Sequence, residues 1–267
     1  MARPPRAEPL ALRRAALLVE YDGTAFEGFQ RQREARTVQG ALEEAAEKVG
    51  SHAPRLICAG RTDAGVHAAG QVVALSLPER LPADKLAFAM NSVLPQDIRV
   101  RRAVPCGEEF GPRHDAVMRT YRYRVCVGVP VPPVARGFVA YVGRVPAPEL
   151  LAEAAPLYLG KREFREWRAA QCQGKRTLLT ISRAEVRTPE ETGEAWHDFV
   201  FSARSFLQHM VRFLVGGCIS VARRKVAMEE LALALAEGRR PRDIAPAEAR
   251  GLILERVDYP PEKDPFR

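Results

Sequence analysis

The chain has 267 residues, of which 46% are apolar and 7% aromatic, so it can bury the core of one large domain or of two medium ones. No apolar run is long enough to cross a bilayer, and residues 1–8 lack the apolar stretch of a signal peptide, which predicts a cytoplasmic protein with no membrane association. The net charge of +8 rests on 41 basic residues, of which only six are Lys, and arginine forks suit phosphate groups. A polyanionic partner is therefore favoured.

The cysteines and histidines give no metal signature. The five cysteines are widely separated, contain no Cys-x-x-Cys pair and read as reduced thiols. None of the five histidines stands at a metal-ligand spacing from a cysteine. We therefore predict no metal site.

The first half of the chain alternates strand-like and helix-like segments. The pattern predicts a strand at 15–21, a helix at 38–49, strands at 54–58 and 71–77, a helix at 84–93 and a strand at 97–104. This β-α-β-β-α-β order is that of a ferredoxin-like unit, whose two helices cover one face of a four-stranded sheet.

The turn at 59–68 joins two of these strands and sets Asp63 between Arg61 and His67. A Thr-Asp-Ala-Gly segment is typical of a surface turn in which the aspartate caps its own backbone. The same segment would also place one carboxylate at a strand end above a sheet, where the neighbouring arginine favours its charged form. The spacing alone leaves both interpretations open.

The second half repeats the order of elements. We predict a strand at 120–127, a helix at 148–159, strands at 176–187 and 195–203 around a charged turn at 189–193, helices at 205–223 and 228–237, and a strand at 252–257. The predicted fold class is α/β (α+β), with two ferredoxin-like βαββαβ units that form a mixed sheet with a central cleft. The predicted domains are residues 14–106 and 116–260, with flexible tails at 1–13 and 261–267.

Two segments have the composition of nucleic-acid contacts. The loop at 21–32 offers Gln30, Arg31 and Gln32 as donors to a phosphate backbone, although it also suits a loop that closes over a sheet edge. The strand at 119–124 interleaves Arg119 and Arg122 with tyrosines, which suits stacking on unpaired bases as well as ordinary core packing.

The helix predicted at 205–223 has His209 and Arg212 one turn apart, away from its apolar face. We interpret His209 as a satisfied core histidine and Arg212 as a capping or ion-pairing residue, and a catalytic role for His209 is the weaker hypothesis.

These segments together resemble the tRNA pseudouridine synthase A (TruA) family from about Leu18 to Pro260. The motifs that carry the resemblance are Gly60-Arg61-Thr62-Asp63-Ala64-Gly65-Val66-His67 followed by Gly70-Gln71-Val72, the loop at 21–32, Tyr121-Arg122-Tyr123, His209-Met210-Val211-Arg212, Gly251-Leu252 and Val257-Asp258-Tyr259-Pro260. They occur in the family's order across both halves, so the resemblance is more specific than any single motif.

The resemblance implies a role for each matching residue. Asp63 would be the catalytic aspartate, and Arg61 would hold its carboxylate and help to keep the target nucleotide out of the stack. Tyr121 would lie against the uracil, and Leu252 would pack on its other side. Arg212 would lie near the cleft.

The resemblance also implies a substrate and an assembly: uridines at positions 38 to 40 of the tRNA anticodon stem-loop, and a homodimer with the RNA across both subunits. The isomerisation has no net redox change and no hydrolysis, so no cofactor is expected. The alternative is a non-catalytic RNA-binding or RNA-chaperone protein, which the charge and the Arg-Tyr strand would equally suit.

Overall fold

The computed structural model describes residues 12–52, 54–189 and 195–267, and within these ranges two units of strands and helices lie side by side. The first unit comprises β1 (Leu12–Tyr21), α1 (Val38–Lys48), β2 (Ile57–Cys58), β3 (His67–Pro78), α2 (Leu86–Asn91) and β4 (Ile98–Pro105). The second comprises β5 (Met118–Val127), β6 (Ala140–Gly143), α3 (Leu150–Ala154), β7 (Gly160–Glu163), β8 (Leu178–Arg187), β9 (Trp196–Ala203), α4 (Met210–Ala222), α5 (Met228–Ala236) and β10 (Leu252–Asp258).

Local sequence explains the first unit. Thr37 has an extended backbone, and its side chain accepts a hydrogen bond from the Gly40 N–H at 3.2 Å, which satisfies a free donor at the start of α1. Val38 and Leu42 then bury one face of that helix. Residues 15–17 in the middle of β1 are all buried, so both faces of the strand are covered there, and β1 pairs with β3 and β4 along its two edges.

The strands of both units belong to one sheet. In the described residues the sheet has ten strands in the order β4-β1-β3-β10-β5-β9-β8-β7, and β2 pairs with β3 while β6 pairs with β5. The first unit thus has the order β4-β1-β3-β2, and the second has the order β10-β5-β9-β8. Both orders are ferredoxin-like, so the predicted pair of βαββαβ units in a mixed sheet is confirmed.

The two units meet where β3 pairs with β10. This pairing is parallel and joins His67 to Ile253 and Ala68 to Leu254. Because β1 covers the other edge of β3, β2 and β10 share one edge, with β2 pairing further along at Val73. We call this β3–β10 junction the seam.

The core of the second unit lies between its sheet and its helices. The Tyr158 ring packs edge-on against Trp167 and Phe201, with ring centroids 5.3 and 6.2 Å away. On the opposite face of β5, Arg124 forms a two-pronged ion pair with Asp198 of β9, with both N to O distances at 2.6 Å. The two faces of the sheet therefore differ, one apolar and helix-covered and the other charged.

Several boundaries differ from the sequence prediction. The helix predicted from Ser205 begins only at Met210, because residues 205–209 form an irregular segment that ends in a left-handed residue, His209. The short strands β6 and β7 were not predicted, and the helix predicted at 148–159 is an α-helix only over 150–154, followed by a 3-10 turn.

Parts of the predicted tails and of one predicted turn belong to other elements or lie outside the described residues. Residues 1–11 of the predicted tail and 190–193 of the predicted turn lie outside the described residues, while Leu12 and Arg13 belong to β1. The tail at 261–267 contacts β4, because the Phe266 carbonyl accepts a hydrogen bond from the Arg102 side chain.

Candidate active site

The loop at 59–66 leaves the sheet at the seam. It connects β2 to β3 on the edge of β3 that β2 and β10 share, so it emerges between the two units. The Asp63 turn lies between two strands, as predicted.

The loop at 21–32 supports the loop at 59–66 from one side. The Phe29 N–H donates to the Thr62 carbonyl at 3.0 Å. Gly23 lies so close that a Cβ there would be 2.1 Å from the Val66 carbonyl oxygen, which requires glycine. The backbone of the supporting loop thus fixes the loop that carries Asp63.

Asp63 faces residues that precede and begin α4. Its side chain is 20% exposed, and its Oδ2 lies 3.6 Å from the His209 Nε2. The Gln208 side chain and the His209 N–H also donate hydrogen bonds to the carboxylate. Burial raises the pKa of the Asp63 carboxyl, and the charges of His209 and Arg212 oppose that rise. A carboxylate with a raised pKa is a stronger base and nucleophile than one in water.

Two apolar side chains from the second unit complete the pocket. Tyr121 of β5 and Leu252 of β10 are 9% and 5% exposed and line the same cleft as Asp63. The Tyr121 ring stands perpendicular to the Phe206 ring at 5.3 Å. Burial and the Asp63 charge raise the pKa of the Tyr121 hydroxyl, so it stays protonated near neutral pH. Asp63, Tyr121 and Leu252, expected from the resemblance to share one site, do lie together.

The positive neighbours of Asp63 are not the expected ones. Arg61 is exposed and lines the cleft, but it forms no ion pair with Asp63 among the described residues. Arg212 contributes its charge instead, while its Nε donates to the Ala247 carbonyl at 2.6 Å. The carboxylate of Asp63 is held by the segment before α4 and by α4 itself.

His67, the histidine of the same turn, does not line the cleft. It is 1% exposed; its Nδ1 accepts from the Gly23 N–H at 3.0 Å and its Nε2 donates to the Arg250 carbonyl at 3.1 Å. Burial lowers the pKa of His67, while the Asp22 carboxylate, 3.1 Å from its Nδ1, opposes that shift. The ring bridges the two units.

Of the residues predicted to contact RNA, three lie in the loop at 21–32. Gln30 and Gln32 line the cleft, and the Gln32 side chain donates to the Glu27 carbonyl at 2.8 Å. Arg31 instead pairs with Glu43 of α1 at 2.8 Å. Only part of this loop is therefore free to meet a ligand.

Arg119, also predicted to contact RNA, is buried and bonded to the backbone. Its guanidinium donates to the carbonyl groups of Ala59 at 2.7 Å, Arg113 at 2.8 Å and Ala116 at 3.4 Å, and also to that of Arg204. It joins the start of the Asp63 loop to two other walls of the cleft. We call this arrangement the Arg119 clamp.

Arg122, the fifth predicted RNA contact, lies on the other face of the sheet from Tyr121, because consecutive side chains of a strand alternate. It does not line the cleft, and it lies 3.7 Å from Asp198 and 3.6 Å from Glu255. Its position does not favour a contact with a ligand bound at Asp63.

The cleft as a whole has a volume of about 1290 Å³, and both units line it. This exceeds the roughly 300–1,000 Å³ of small-molecule pockets, so a larger ligand fits. In the parts of the chain that the structure covers, no group of three or more His, Cys, Asp or Glu side chains could hold a metal ion. No helix among those residues is long and apolar enough to cross a membrane.

Gln208 and His209 were not predicted as site residues. The helical spacing of the apolar residues continues back to Phe206, so the sequence predicts a helix where the structure has an irregular segment at 205–209. Two signals were available: the polar pair itself, which interrupts the apolar run just before Met210, and the motif at 209–212 that belongs to the resemblance.

Comparison with known proteins identifies a family to which this chain is similar. A family model described as tRNA pseudouridine synthase matches residues 17–115 and 154–260. A protein of Methylobacterium nodulans named tRNA pseudouridine synthase A is 41% identical over 249 residues, covering 92% of this chain and 96% of that protein. Proteins of the same name from Methylobacterium radiotolerans and Vibrio cholerae are 39% and 36% identical, covering 94% and 92% of this chain and 99% and 92% of their own lengths.

Proposed function

The chain belongs to the tRNA pseudouridine synthase family, and we propose that it converts uridine to pseudouridine at positions 38 to 40 of the tRNA anticodon stem-loop. One observation supports this most directly: Asp63 stands partly buried at the seam, between the polar segment before α4 and the apolar surfaces of Tyr121 and Leu252.

The reaction breaks the N1–C1′ bond of uridine, turns the uracil and forms a C5–C1′ bond, while a proton leaves C5 and another reaches N1. Nothing is oxidised or hydrolysed, so the proposed mechanism uses no cofactor. Asp63 can serve by attacking uracil C6, by attacking C1′ or by taking the C2′ proton. A glycosidase would need a second carboxylate beside the bond and a water molecule. Among the residues that the structure describes, the only other carboxylate that lines the cleft is Glu27, which is exposed.

The pocket suits an unstacked base. Taking a uridine out of a stem-loop costs a few kcal/mol, which contacts in the pocket must offset. The faces of Tyr121 and Leu252 can hold the uracil on its two sides, and Arg61 at the exposed side of the cleft can occupy the space that the base leaves. The charges of His209 and Arg212 favour the ionised form of the Asp63 carboxylate against the effect of burial.

The proposal also covers the assembly and location of the protein. We propose that it acts as a homodimer with the RNA across both subunits, in the cytoplasm, and that residues 14–106 and 116–260 are its two domains. The mass of the pure protein in solution, measured by sedimentation, tests whether it is a dimer.

Tritium release tests the activity. The pure protein is incubated with an unmodified tRNA transcript that carries tritium at uracil C5, which should be released to water as the C5–C1′ bond forms. The Asp63→Ala variant should release none while keeping its circular dichroism spectrum. Release by that variant would refute the role of Asp63. Tight tRNA binding by the unchanged protein without release would favour the non-catalytic RNA-binding alternative.

A further inference from the structure

The walls of the cleft are strongly basic. Within the described part of the chain, five arginines line it, Arg61, Arg113, Arg119, Arg176 and Arg204, against two carboxylates, Asp63 and Glu27. The aspartate has its own partners before α4, so it does not neutralise the arginines. The side chains that line the cleft therefore have a net positive charge.

Four of these arginines are exposed and free. Arg61, Arg113, Arg176 and Arg204 make no side-chain hydrogen bond or ion pair within the described ranges. Arg31 differs because it lies beside the same cleft but pairs with Glu43. We call the four free side chains the rim arginines.

The Arg119 clamp holds two of the rim arginines in place. It bonds the backbone carbonyls of Arg113 and Arg204, so the starting points of both side chains are fixed with respect to the Asp63 loop. Burial lowers the pKa of Arg119, and the charges of Arg113 and Arg204 act in the same direction, which shows that the three cations are close. Three neighbouring arginines, two of them anchored through their backbones, form a surface that suits an anion.

We propose that the rim arginines other than Arg61, with Arg113 and Arg204 as the central pair, bind the backbone phosphates of the nucleotides next to the target uridine. This inference rests on the proposed function, because it takes the ligand to be tRNA. A base inserted as far as Asp63 leaves its own phosphates at the mouth of the cleft, where these side chains stand. Arginine forks bind phosphate oxygens in pairs, which fixes the position of the strand as well as its charge.

Salt-dependent binding tests this inference. Each of Arg113→Gln and Arg204→Gln is made in a chain that also carries Asp63→Asn, so that the RNA is not altered during the measurement. Binding of an unmodified tRNA transcript is measured over a series of salt concentrations. The matched control is Arg80→Gln, since Arg80 is exposed, makes no ion pair among the described residues and lies beyond the far end of β3.

Each cleft variant should weaken binding about tenfold and lower the slope of log affinity against log salt by about 1, while the control changes neither. Unchanged affinity and slope in both cleft variants would overturn the inference, as would a loss of affinity with an unchanged slope. If the unsubstituted chain releases no tritium but these shifts occur, the proposed function fails and the phosphate site stands.

Discussion

The Nε2 atom of His209 lies 3.6 Å from the Oδ2 atom of Asp63, and His209 reaches this position with a left-handed backbone, at φ 63°. Left-handed residues other than glycine are uncommon and cost about 1 kcal/mol or more. The turn also points the His209 N–H at the same carboxylate. One residue thus supplies both a charge and a backbone donor to Asp63.

The His209 charge should set the acid limb of the pH profile. Burial raises the pKa of Asp63 and His209 opposes the rise, so His209→Asn should raise that pKa further. The ionised aspartate is then lost at a higher pH as the pH falls, and the acid limb of kcat/KM for tritium release should move upward. Asparagine is chosen because it tolerates the left-handed backbone.

His114→Asn is the matched control for this profile, because His114 is an exposed histidine that lines the same cleft without acting on Asp63. An acid limb that is the same in both variants and in the unsubstituted protein would show that His209 does not tune Asp63.

The buried hydroxyl of Tyr158 should be a cost to stability. It finds no hydrogen-bond partner among the described residues, although the ring is fully buried. Tyr158→Phe removes an unsatisfied polar group and should stabilise the fold by about 1 kcal/mol in urea unfolding. Tyr123→Phe should do the opposite, because the Tyr123 hydroxyl donates to the Glu248 carbonyl at 2.8 Å. Equal effects of the two changes would contradict this explanation.

Gly70 should be indispensable to the seam. A Cβ at this position of β3 would lie 2.4 Å from the Glu255 carbonyl oxygen of β10, so Gly70→Ala forces the strands apart. We expect a loss of about 1–3 kcal/mol in the free energy of unfolding, together with lower activity. Gly111→Ala is the control, since its new Cβ would only touch Asp115 and His114 at 3.6 Å. If the Gly70→Ala protein is as stable as the control, the strands at the seam can accommodate the new methyl group without a loss of stability.

The Arg119 clamp should depend on the guanidinium shape and not only on charge. Arg119→Lys keeps the charge but cannot reach four carbonyls, so about 2–4 kcal/mol of unfolding free energy should be lost. Arg80→Lys, at an exposed position without partners in the described chain, should cost almost nothing. If chemical unfolding gives the same midpoint for both variants, the clamp does not contribute to stability.

Local patterns predicted the parts of the site that local structure determines. Two apolar runs on either side of a glycine-bearing turn gave the position of Asp63, and the repeated order of elements gave the two units. The start of α4 could not be predicted, because residues 205–209 fit a helical period and only the contact with Asp63 explains the left-handed His209.

The ion-pair and hydrogen-bond partners of the arginines could not be predicted from the sequence either. Arg31 and Arg122 look as free as Arg113 and Arg204 in a one-dimensional pattern. Their carboxylate partners, among them Asp198 for Arg122, are brought near by the fold and not by spacing. The same holds for Arg119, whose four carbonyls come from three separate segments.

The short pairing of β3 with β10 makes catalytic competence a property of the finished chain. Asp63 belongs to the first unit, whereas Tyr121 and Leu252, the side chains that we propose hold the base, belong to the second. On that proposal, a chain in which only the first unit has folded has the carboxylate but no surface against which a base can bind. The protein thus cannot begin to modify RNA while it is half folded, and the appearance of activity during refolding would report the docking of β10.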